Sequence, residues 1–77
     1  MRPIVYIRKH IFRAPSQRQF SKMVGVSQPT VNRWEAGIGP SQSAMEKIRA
    51  AAVDRGLPWD DRLFFEAPAV PDTAEVL

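Results

Sequence analysis

Gln28, Asn32 and Arg33 are side-chain types that can read the edges of base pairs, and they fall within little more than one helical turn of each other. A Gln or Asn amide can bond bidentately to adenine and an Arg guanidinium to guanine, while the neighbouring Pro29 can offer only apolar contact, for instance to a thymine methyl. Such chemistry requires one rigid helix to present the side chains together. With about 100° per residue and Val31 set at about 0°, Trp34 lies near 300°, so the buried direction is about 330° and the outward direction about 150°. Pro29 (about 160°), Asn32 (about 100°), Arg33 (about 200°) and Ala36 (about 140°) then face outward. Gln28, at about 60°, sits on the flank but in the first turn, the end that approaches base edges when a helix enters the major groove. Gln28, Pro29, Asn32 and Arg33 are therefore the candidate readers of sequence.

Other chemistries find little support. The chain has no cysteine, so disulfides and Cys-based zinc sites are excluded, and its one histidine, His10, cannot make a metal cluster. There is no Ser/His/Asp or Cys/His arrangement and no phosphate-cradling glycine loop, so neither an enzyme nor a cofactor is expected. The net charge of +3 hides a division. Residues 1–49 carry nine basic side chains against Glu35 and Glu46, a balance of +7, whereas residues 50–77 carry Arg55 and Arg62 against six acids, a balance of −4. The first part is the one suited to a polyanion. No apolar run is long enough to cross a membrane, and Arg2, Arg8, Lys9 and His10 interrupt any leader-like stretch, so a cytoplasmic protein is expected.

Seventy-seven residues allow one domain, and a domain this small buries only about 60% of the surface its unfolded chain exposes. Ile4, Ile7 and Ile11 suit a short amphipathic helix to Arg13, although the β-branched run at Ile4–Val5–Tyr6–Ile7 could also begin a strand. After Ala14–Pro15, Ser16 is an N-cap candidate with Gln19 three residues on, and a helix from Gln17 should stop at Gly25. Ser27 caps a further helix over Gln28 to Ala36, with Pro29 in its first turn and Gly37 at its end. Ser41 or Ser43 starts a longer helix to about Arg55, striped by Met45, Ile48 and Ala52. A last short helix is expected to begin at Leu57–Pro58 and to carry Trp59, Leu63 and Phe64. No strand pair is expected. The domain should span 1–66, with 67–77 a flexible tail of proline, small and acidic residues.

Two short helices joined by a tight glycine turn make a helix-turn-helix, whose second helix docks in the major groove. Phe20, Val24, Val26, Val31 and Trp34 must point inward, Ser21 must be small where the helices cross, and Gly25 must make the turn. The stretch from Gln17 to Gly37, with its Gly25–Val26–Ser27–Gln28 turn and Trp34–Glu35–Ala36–Gly37 ending, resembles the helix-turn-helix of the Cro/C1-type (XRE) regulators. The resemblance runs from about Ile7 to Arg55. It implies an all-α, compact five-helix, lambda-repressor-like domain that binds double-stranded operator DNA as a homodimer. Many members of the family are repressors encoded by phages, prophages or toxin–antitoxin loci.

The family's usual phosphate contacts, carried over, point to Ser16 and Gln17 at the start of one helix, with Thr30 and the backbone from Gly39 to Ser41 as lesser candidates. Arg13, Arg18 and Lys22 could add attraction, Arg18 lying in the same first turn, or could simply be solvated charges. Glu35, near the core's edge at about 40°, needs a base from the first helix, for which Arg8, Lys9 and His10 compete. Family members often place an arginine there, which leaves His10 a structural rather than a catalytic residue. Trp59, Leu63 and Phe64 either close the monomer's core or form a dimer interface, the second being favoured because so small a domain needs to bury its apolar end. The competing function is an antitoxin or adaptor that engages a protein partner through that same apolar end.

Overall fold

The computed structural model describes residues 2–66; the expected tail at 67–77 lies outside the described residues. Among the described residues every regular element is helical. The first helix, α1 (Pro3–Tyr6), starts with Pro3 where the missing N–H is no loss, and so settles the β-branched run as helix rather than strand. It widens over Ile7–Ile11 into π-type bonding, with the Phe12 N–H reaching the Ile7 carbonyl at 2.9 Å. The helix thus ends two residues before the expected Arg13, which takes a left-handed φ of 54°. α2 (Gln17–Val24) and α3 (Gln28–Arg33) follow, then a widened turn over Trp34–Ile38 in which Gly37 leaves the helical region at φ 121°.

α4 (Gln42–Asp54) is capped by Ser41, whose Oγ accepts from the Ala44 N–H at 3.2 Å; Ser43 lies inside the helix. The expected fifth α-helix is instead one 3₁₀ turn, Asp61–Phe64, so the described fold has four helices rather than five. Pro58 disfavours helical geometry at Leu57, and the Asp60 carboxylate takes the Arg62 N–H at 2.9 Å, starting the turn four residues later than the Leu57–Pro58 pair predicts.

The core lies where α1, α2, α3 and α4 converge. Ile7, from the π-type continuation of α1, and Phe20, Val31 and Ile48, from α2, α3 and α4, are fully buried, and Phe12 meets Phe20 edge-on with ring centroids 5.0 Å apart. Leu63 closes the far side from the 3₁₀ turn. Burying a side chain of this size contributes roughly 1.5–3 kcal/mol, so a handful of large residues carry much of the stability of so short a chain.

Candidate nucleic-acid interface

The angle between α2 and α3 is set by the residues that the spacing assigns inward. Phe20, Val24, Val31 and Trp34 are buried, Ser21 is buried at the crossing, and Val26 is half-buried against the same cluster. Ser21 also donates its hydroxyl to the Arg18 carbonyl at 2.6 Å, which satisfies a polar group that the crossing would otherwise strand. Gly25 sits at φ 86°, and its N–H and that of Val26 both bond the Ser21 carbonyl, closing α2 and turning the chain toward α3.

With its inner face committed, α3 leaves Gln28, Pro29, Asn32 and Arg33 exposed together on the outer one. Ser27 caps this helix and its hydroxyl is 2.7 Å from that of Thr30, which in turn accepts from Arg33 Nη2 at 3.4 Å. Thr30 is therefore half-buried and engaged within its own helix, while Arg33 is steadied along the outer face. Ser16 is exposed with its Oγ taken by the Gln19 N–H at 3.1 Å. The amides of Gln17 and Arg18 come before the first bonded ones of α2, so that end of the helix has the donors and the partial positive charge an anion needs.

Arg18, Arg13 and Lys22 are exposed, and Gly39 is half-buried beside the exposed Ser41. A groove between α3 and the start of α4 gathers Thr30, Arg33, Gly39 and Ser41 with Lys47 and Ile38, which no motif in the sequence marks. Ile38 is 75% exposed, unusual for its type. Lys47 follows the Ser41 cap by six residues, and only the observed start of α4 shows that this brings it to the groove.

Arg8 is the base that Glu35 requires. Its Nε donates to Glu35 Oε2 at 2.7 Å, its Nη2 to Oε1 at 3.3 Å, and its Nη1 to the Ala14 carbonyl at 3.2 Å. Both side chains are about nine-tenths buried. Lys9 and His10 are exposed, with His10 stacked on Tyr6 at 4.8 Å. Gln17, half-buried, then joins the pair: its Nε2 donates to Glu35 Oε1 at 3.2 Å and its Oε1 accepts from Asn32 Nδ2 at 3.3 Å.

At the other end of the molecule Trp59 and Phe64 are half-buried and pack edge to face, 5.0 Å apart, while Leu63 is buried in the core of its own chain. Phe65 is 72% exposed beside a cleft formed with Met45, Arg49 and Phe64.

Two helices locked at a glycine turn, the second of them carrying on its free face polar side chains of the types that can bond base edges, have the form of a helix-turn-helix. Residues 16–51, which take in α2, α3 and most of α4, match the protein-family model described as Helix-turn-helix, the family of the Cro/C1-type (XRE) regulators. This match supports a DNA-binding helix-turn-helix regulator that acts on double-stranded DNA. No curated protein and no solved structure matches it. Among the described residues no helix is long and apolar enough to cross a membrane.

Proposed function

We propose that the protein is a sequence-specific repressor that acts in the cytoplasm on its own or a neighbouring operon of phage or prophage type. The observation that carries this reading is the joint exposure of Gln28, Pro29, Asn32 and Arg33 on the one face of α3 that the core leaves free. In the major groove Gln28 and Asn32 suit adenine, Arg33 suits guanine and Pro29 a thymine methyl. Phosphates on either side fall to the start of α2, at Ser16, Gln17 and Arg18, and to Thr30, Gly39 and Ser41, with Lys47 beside them. Repression would follow from occupancy of a promoter by the bound domain.

A homodimer would bind a near-palindromic site with half-sites about one helical turn apart. Because Leu63 is already used inside the monomer, that interface would rest on Trp59, Phe64 and the exposed Phe65. The same exposed aromatic end supports the second reading, an antitoxin or adaptor that holds a protein partner. Mobility-shift titration against the DNA upstream of its gene tests the first: a discrete site is expected, lost on joint substitution Gln28→Ala and Arg33→Ala. Binding that is equal for unrelated sequences would defeat it.

A further inference from the structure

The polar chain Arg8–Glu35–Gln17–Asn32 has a direction. Glu35, ionised against the Arg8 guanidinium, can only accept hydrogen bonds. The Gln17 amide beside it must therefore turn its NH₂ toward Oε1 of Glu35, and this leaves the Gln17 carbonyl oxygen facing Asn32. An oxygen there can be met only by the Asn32 NH₂, not by its carbonyl, so the sense of the Asn32 amide is determined by a carboxylate one helix face away. We infer that Gln17 is a positioning residue for specificity: it passes the fixed polarity of the buried Arg8–Glu35 pair to Asn32 and so commits Asn32 to adenine.

The chemistry supports that choice. With one N–H held by Gln17, Asn32 keeps its Oδ1 and a second N–H. An acceptor and a donor side by side match the N6 amino group and N7 of adenine in the major groove. A guanine offers two acceptors, which Asn32 could satisfy only by giving up its bond to Gln17. The buried ion pair thereby acts on sequence reading as well as on the fold. Gln17 would hold this place whether or not it also touches a phosphate.

The inference rests on Asn32 reading a base, as proposed above, and the experiment separates the two. Base preference at each operator position is measured by competition titration for the unaltered chain, Asn32→Ala and Gln17→Met, a substitution of similar length with no polar amide. Asn32→Ala should abolish preference at one position per half-site; if every preference survives, Asn32 is not a reader and both claims fall. Given that position, Gln17→Met should lower its adenine preference from roughly tenfold to about threefold or less, leaving the positions read by Gln28 and Arg33 unchanged. Equal weakening for every sequence would show a phosphate contact alone and overturn the positioning role. A readout that needs no variant is the side-chain amide of Asn32 in the free protein: one of its two protons should exchange with solvent more slowly than those of an exposed asparagine. Two rapidly exchanging protons would overturn the inference even if Gln17→Met failed to fold.

Discussion

Arg8 Nε lies 2.7 Å from Oε2 of Glu35, joining the Ile7–Ile11 continuation of α1 to the widened turn that follows α3. Because both side chains are about nine-tenths buried, the pair is worth less than it costs to break. Glu35→Ala strands the guanidinium and should destabilise the domain by about 3–5 kcal/mol in chemical denaturation. The double substitution Arg8→Met with Glu35→Leu removes both charges together and should cost clearly less than Glu35→Ala alone. Equal losses for the two variants would show that packing, and not charge burial, dominates at this site.

Phosphate contact and base reading should separate by their dependence on salt. Arg18 is exposed in the first turn of α2, and a phosphate bound there releases about one counterion. Arg18→Ala should therefore reduce the slope of log affinity against log salt by about one and weaken all DNA sequences alike. Arg33→Ala, in contrast, should cost about 1–3 kcal/mol on the specific site and relax preference at a single base pair. An unchanged slope for Arg18→Ala would make Arg18 an ordinary solvated charge.

Gly25 combines a left-handed backbone with open space, since a Cβ built there meets nothing within 4 Å. The cost of a side chain at this turn is therefore conformational alone. Gly25→Ala should destabilise by about 1 kcal/mol, and Gly25→Asn by less, because asparagine tolerates left-handed geometry better than alanine does. Denaturation midpoints at constant slope would check the order. A loss of several kcal/mol for alanine would mean that α2 and α3 approach more closely here than the space around Gly25 implies.

Much of the helix-turn-helix could be read in advance because its determinants are local: Phe20, Val24, Val31 and Trp34 fall at helical spacing, and Ser16, Ser27 and Gly25 mark where helices start and stop. Which face of α3 is free follows from the same periodicity. The partner of Glu35 stays open among Arg8, Lys9 and His10 in the sequence because it depends on how the first helical segment is rotated, and in the structure Arg8 is the one of the three that is buried. The bond between Gln17 and Asn32 joins residues on different helices and cannot be inferred from either helix alone. The last element differs from its sequence pattern for a nearer reason. Trp59, Leu63 and Phe64 have helical spacing, but Pro58 and the Asp60 cap confine the turn to Asp61–Phe64.

That cap has its own pH signature. Hydrogen bonds from the Arg62 side chain, and then from the Arg62 backbone N–H, pull the Asp60 carboxyl from its ordinary 3.8 down to about 2. A carboxyl whose value is lower in the folded chain binds its proton less readily there than in the unfolded chain, so its contribution to stability is complete above about pH 4 and is lost as pH falls toward 2. Arg62 and Asp60 are both at the surface, so the effect should shrink as salt is added. Carbon-detected titration should find Asp60 well below the other exposed aspartates. Arg62→Ala should return it only part of the way, because the backbone N–H at position 62 remains to donate. The stability difference between the unaltered chain and Asp60→Asn should correspondingly narrow between pH 4 and pH 2. An Asp60 that titrates near 3.8 in the folded protein would mean that neither the Arg62 guanidinium nor the Arg62 N–H is bonded to it, and that the carboxylate does not cap the 3₁₀ turn.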